Sequence, residues 1–146
     1  MEVKKITIPK NESIDTKDEL TMLNGLYFDK QQNPEVVPYI HKKIAGYKQQ
    51  DNKKNIYNKE LFITFDEVIE LLVISQLKCF YCKCNMRVRY EKTRDKQQWT
   101  LDRIDNDKGH HGDNVKIACL GCNLKRRRLN MEKFLFTKQL KINKQD

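Results

Sequence analysis

The apolar positions follow two different rhythms along the chain. Between residues 64 and 78, Phe65, Ile69, Leu72, Val73 and Leu77 recur every three or four residues, the spacing that gathers side chains on one helical face. Thr64-Phe-Asp-Glu67 supplies the reciprocal hydrogen bonds of a capping box, and Ile63 and Val68 occupy the staple positions. This predicts a helix over 65–78 that runs into Cys79 and braces the first cysteine pair. Upstream, Ile40, Ile44 and Tyr47 predict a short basic helix over 39–48, with His41, Lys42, Lys43 and Lys48 mostly off the stripe and toward solvent. Lys5 to Ile8 reads as a short β-like stretch, and Asn11 to Lys30 has no clean period. After Cys79 the rhythm shortens. Arg87–Tyr90 and Gln98–Asp102 read as strands joined by a polar loop, Glu91 to Lys96, and Asn114–Ala118 reads as a third strand. Arg103 to Asp113, with Gly109 and Gly112, reads as a loop. Asn123 to Asn130 has no helix breaker, which predicts a helix starting there, with Met131 to Leu140 continuing or restarting it.

Composition narrows the class. The chain has 146 residues, of which 38% are hydrophobic and 34% charged, enough for one modest core but not for two full domains. The longest apolar run, 68–74, is interrupted by Glu70 and is too short to span a bilayer, and residues 1–10 lack the apolar segment of a signal peptide. The expectation is an intracellular protein, cytoplasmic or nuclear with a virion as an alternative, that is neither secreted nor membrane-bound.

The formal charge of +9 lies in one half. Residues 1–78 carry 12 Lys and Arg against 12 Asp and Glu, whereas residues 79–146 carry 17 against 8. Such an asymmetric field suits a polyanionic partner, because each cation that neutralises a phosphate releases a condensed counterion. The bland alternative is a solvated basic surface.

All five cysteines stand between positions 79 and 122. Cys79-Phe-Tyr-Cys82 and Cys119-Leu-Gly-Cys122 form two C-x-x-C knuckles 36 residues apart. In a chain with no export signal this pattern favours a structural Zn²⁺ held by Cys79, Cys82, Cys119 and Cys122 over disulfides. Cys84 breaks the count and reads as a spare thiol, its alternative being to replace Cys82. The long insert between the knuckles has room for a functional site.

That insert reads Thr100-Leu-Asp-Arg-Ile-Asp-Asn106, Gly109-His-His111, Asp113-Asn-Val115, and leads into Cys119-Leu-Gly-Cys-Asn-Leu-Lys125. This order resembles the HNH, or His-Me finger, endonucleases that carry a four-cysteine zinc site, in a variant with an Asp-Arg-Ile-Asp-Asn core. The resemblance covers residues 79–135. It implies an α+β fold: a ββα-metal zinc module with its bracing helix over 61–146, preceded by a mainly helical N-terminal extension over 1–60. It further implies that Asp102 and Asn123 hold a catalytic Mg²⁺ or Mn²⁺, a pairing in keeping with the preference of hard cations for oxygen ligands. Asn114 resembles the middle Asn that ties the loop to the hairpin. For Asn123 the competing reading is a helix N-terminal cap.

One position departs from the family. Its general base is a histidine directly after the metal-binding Asp, and here Arg103 stands there, a permanent cation that cannot take a proton from water. Three consequences remain open: His110 or His111 supplies the base, the metal-bound water reacts without one, or the protein binds nucleic acid without cutting. Arg103 then serves as a phosphate clamp. Lys125, Arg126, Arg127 and Arg128 are candidate phosphate contacts, two or three of which can face a groove at once. Trp99, Tyr81 and Tyr90 are either base-stacking or packing residues. The expected function is hydrolysis of DNA phosphodiesters, with RNA also open as partner. The alternatives are a non-catalytic nucleic-acid-binding zinc module within a larger assembly and, behind it, a protein-interaction domain.

Overall fold

A computed structural model describes residues 17–145, with side chains through Ile142. The stretch Lys5–Ile8 lies outside the described residues. Three helices lead into a β-hairpin flanked by the cysteine knuckles, and two more helices come after it. The elements are α1 (Lys17–Phe28), α2 (Val37–Lys53), α3 (Phe65–Ser75), β1 (Trp99–Arg103), β2 (Val115–Cys119), α4 (Leu120–Arg126) and α5 (Met131–Gln145). This is an α+β arrangement whose sheet, among the described residues, is one antiparallel pair. No helix among the described residues is long and apolar enough to cross a membrane.

The hairpin carries the core. Trp99 pairs with Cys119 and Arg103 with Val115. Its buried Trp99, Leu101, Ile117 and Ala118 belong to one apolar cluster with Val68, Ile69 and Leu72 of α3, Leu23 of α1, Ile40 of α2, and Tyr81, Met86 and Val88 from the connecting segment. Burying each of the larger side chains contributes roughly 1.5 to 3 kcal/mol before the entropy of ordering is set against it. The capping box on α3 is complete: Glu67 N donates to Thr64 Oγ1 at 3.1 Å and Thr64 N to Glu67 Oε1 at 2.9 Å. Ile63 and Val68 are both buried.

Several expectations are corrected. The α3 helix ends at Ser75 instead of running to 78, because Gln76 and Leu77 take left-handed conformations (φ 55° and 57°). That turn buries Leu77 and redirects the chain into the first knuckle. Arg87–Tyr90 forms no strand, and only Arg87 bridges to Gln98. The reason is Glu19: its carboxylate accepts the backbone N–H groups of Val88 and Arg89, at 2.9 and 3.0 Å, and so occupies the donors that a ladder would need. The stretch 11–30, read as having no clean period, contains α1. Leu20, Leu23, Leu26 and Tyr27 recur there at helical spacing against the core, and the pattern is blurred because Glu19 and Gly25 are buried beside them. The basic helix is longer than 39–48, and Lys43 is drawn inward, donating to Gln98 Oε1 and the Trp99 carbonyl and lying over the Tyr90 and Trp99 rings at 5.0 and 5.2 Å. The last helical region starts at Leu120, three residues before Asn123, and breaks at Arg127 (φ 52°) before α5 begins.

A cysteine cluster beside a basic cleft

The sulfurs of Cys79, Cys82, Cys119 and Cys122 lie within 4.8 Å of one another, brought together by the turn after α3 and the β2–α4 junction. Backbone N–H groups support the set, Tyr81 N donating to Cys79 Sγ and Cys122 N to Cys119 Sγ, both at 3.4 Å. Four thiolates this close repel one another unless a cation sits among them, and the donor set is the one that Zn²⁺ prefers. These four residues can hold a zinc ion. Cys84 stands outside the set of four, although its thiol lies against those of Cys79, Cys82 and Cys119, and its carbonyl accepts from Cys79 N at 2.9 Å. The side chain of Cys119 is also the N-cap of α4. The cap reading of Asn123 is thereby excluded.

Asn123, within the first turns of α4, donates through Nδ2 to Thr100 Oγ1 at 3.1 Å and toward the Leu101 carbonyl at 3.5 Å. The amide atom left for a ligand is Oδ1. Asn123 and Asp102 line one cleft of about 800 Å³, together with Tyr47, Arg103, His110 and a set of lysines and arginines that includes Lys54, Lys96, Lys125 and Arg127. Asp102 is buried at 2% exposure, next to the end of β1. Its Oδ2 accepts from the Tyr81 hydroxyl and, at 2.8 Å, from Arg126 Nη1. Burial pushes the Asp102 carboxyl above its usual range, while the Tyr81 hydrogen bond and the Arg126 charge pull the other way. Both bonds fall on Oδ2, so a cation would have to use Oδ1.

Arg126 is the clearest correction among the site residues. It is 1% exposed and donates to Asp102, to the carbonyls of Arg103, Ile104 and Leu129, and to no solvent-facing acceptor in this set. It holds the hairpin end to α4 and cannot serve as a phosphate contact. Lys125, Arg127 and Arg128 are exposed and line the cleft, with Arg128 also paired to exposed Asp107 at 2.9 Å. Arg103 Nη1 donates to the carbonyls of Asn106 and Lys108, which fixes the guanidinium at the cleft edge.

Asn114 ties the insert together. Its Nδ2 donates to the Asp105 and Gly109 carbonyls, at 3.1 and 2.9 Å, and its Oδ1 accepts from Asp105 N at 2.9 Å. The two histidines of the loop part company. His111 bridges to Phe62 and stands outside the cleft lining. His110 is buried and lines the cleft, with Nδ1 2.8 Å from Asp51 Oδ1 and its backbone N donating to Asp51 Oδ2 at 2.7 Å. Burial lowers the His110 pKa, as do the Arg103 and Lys54 charges, while Asp51 raises it. Neither loop histidine is fully exposed. Asp51 is invisible to motif reading because it sits in a polar run, Asp51-Asn-Lys-Lys-Asn55, 59 positions before its partner. Trp99 and Tyr81 are buried packing residues, and half-buried Tyr90 packs edge-on against Tyr39.

Comparisons with protein-family models, with curated proteins and with solved structures give no match to this chain.

Proposed function

We propose that this chain is an HNH-type endonuclease, a ββα-metal module stabilised by zinc at Cys79, Cys82, Cys119 and Cys122, which hydrolyses DNA phosphodiester bonds. The observation that carries the reading is that His110, an imidazole with one nitrogen held by a carboxylate, lines the same cation-rimmed cleft as Asp102 and Asn123. A nuclease whose usual base position is Arg103 needs a proton acceptor from elsewhere, and His110 meets that need.

In this reading the substrate phosphate enters among Lys54, Lys96, Lys125 and Arg127, with the free donors of Arg103 taking a phosphoryl oxygen. His110 Nε2 accepts a proton from the attacking water, whose oxygen bonds to phosphorus as the bond to the leaving deoxyribose oxygen breaks. Asp102 and Asn123 would hold a Mg²⁺ or Mn²⁺ ion through their Oδ1 atoms. Such an ion supplies charge that polarises the phosphoryl oxygen and stabilises the leaving oxyanion. Because Arg126 already compensates Asp102, the protein ligands offer a dication little net charge, so affinity for it depends on the phosphate that completes the site.

The same ion pair is the observation that favours a second reading, a nucleic-acid-binding module that does not cut. Incubating the purified protein with duplex, nicked, branched and single-stranded DNA and with RNA, in Mg²⁺, Mn²⁺ or chelator, separates the two. Metal-dependent products that disappear in Asn123→Ala, with zinc content and DNA affinity retained, support the nuclease. Tight binding with no product under any of these conditions supports the module.

A further inference from the structure

We infer that Asp51, in the last turn of α2, is a positioning residue for His110: it fixes the ring as the Nδ1–H form and leaves Nε2 as the atom that takes a proton, so a helix outside the motif completes the site. The catalytic half of this inference rests on the nuclease reading above; the tautomer half does not. An ionised carboxylate only accepts hydrogen bonds, so an imidazole nitrogen 2.8 Å from it carries the proton. The other oxygen of the same carboxylate takes the His110 backbone N–H at 2.7 Å, so one group holds both the backbone and the ring. Asp51 is 1% exposed, and burying a carboxylate so deeply is costly unless both oxygens are satisfied, as they are here.

Two neighbours are shaped to this contact. A Cβ at Gly109 would stand 2.6 Å from Asp51 Oδ2 and 2.9 Å from the Ile56 carbonyl, and Gly109 has no positive φ. The glycine is there to let α2 approach, not to bend the backbone. Tyr47, one turn before Asp51, lays its ring 4.3 Å from the imidazole, and its hydroxyl accepts from Leu101 N at 3.0 Å. The helix is thus pinned to the strand that carries Asp102, on the side where it meets His110. The charged groups facing the imidazole are Asp51 and Lys54 from α2 and its end, and Arg103 from β1.

The test uses the full-length, zinc-loaded protein labelled with ¹⁵N-histidine, its His110 signals assigned by their loss in His110→Ala. Long-range ¹H–¹⁵N correlation at pH 7.5 should show wild-type His110 with the proton on Nδ1. In Asp51→Asn the backbone N–H can only donate, so it claims the new amide oxygen and leaves the NH₂ to face the ring. The proton then moves to Nε2, and kcat should fall by about 10²- to 10⁴-fold with KM and zinc content little changed. Gly109→Ala should weaken the same contact and lower kcat in the same sense. A wild-type ring protonated on Nε2, or an Asp51→Asn protein that cleaves at the wild-type rate, overturns the inference. A wild type with the Nδ1–H form in place and no cleavage of any substrate supports the positioning and overturns the nuclease reading instead.

Discussion

Asp102 and Arg126 form a buried ion pair, 2.8 Å apart, with side chains 2% and 1% exposed. Removing one member strands the other charge away from water, a loss of about 3 to 5 kcal/mol. We therefore expect Arg126→Met to be strongly destabilised in urea unfolding, and the double variant Asp102→Asn/Arg126→Met to lose less than the two single losses combined. Additivity would show that the pair is not coupled. Asp102→Ala is for the same reason a poor test of catalysis, whereas Asn123→Ala removes a neutral, half-buried amide and is the cleaner one.

The cysteine cluster predicts one zinc per folded chain. Structural zinc supplies folding free energy on the order of 10 kcal/mol, so Cys79→Ser and Cys122→Ser should lower the metal content and loosen the hairpin. Cys84→Ser should leave zinc unchanged, since the set of four is complete without it. Elemental analysis of the three variants decides this, and a folded wild type without zinc would overturn the assignment.

On the nuclease reading, the pH dependence of cleavage follows from the burial of His110. Its pKa lies below the ordinary value of about 6.5, so the unprotonated base persists to lower pH than a solvent-exposed histidine would. The acidic limb of kcat should therefore turn below pH 6.5. The stability linkage has the same sign: the folded state resists protonation, so the His110 contribution is complete above pH 6.5 and is lost as pH falls through the lowered pKa. His110→Ala should slow cleavage by about 10²- to 10⁴-fold, and His111→Ala should not. An acidic limb centred above pH 7 would point to a different base.

Salt dependence distinguishes the exposed cations from the buried one. Neutralising Lys125 and Arg127 together should flatten the slope of log K against log salt by about 2. Arg126→Gln should weaken binding only as far as it disturbs the fold. If the slope stays unchanged in the Lys125 and Arg127 double variant, the phosphates run along another face.

Glu19 makes a structural prediction. Besides the two backbone N–H groups of Val88 and Arg89, its carboxylate accepts from Arg89 Nε at 3.0 Å. Hydrogen bonds to charged groups contribute about 1.5 to 3 kcal/mol, so Glu19→Ala should destabilise the protein by at least that much. Amide exchange at Val88 and Arg89 should rise first. Unchanged protection there would mean that the segment is held by its side chains alone.

What the sequence made legible is what repeats or what chemistry spaces at short range. The α3 stripe, its capping box, the two knuckles and the strands on either side of the loop could all be read because their defining partners stand within a few residues of one another. The opposite holds for α1, where Glu19 is buried to serve residues 88 and 89, and for the absent 87–90 strand, which fails for the same cause. Arg126 carries no mark in the sequence that separates it from Arg127; only the helix turn that aims it at Asp102 does so. Asp51 likewise acquires its meaning from a contact across the fold.

Cys119 joins two roles in one side chain. Its sulfur belongs to the set that can hold zinc and, as the N-cap of α4, also begins the helix that carries Asn123. If zinc is what holds the four sulfurs together, a chain that has not yet acquired it lacks both a secured hairpin and a fixed start to the helix that carries Asn123. On the nuclease reading, assembly and competence become a single step, and a newly made chain would not cut nucleic acid before it is finished.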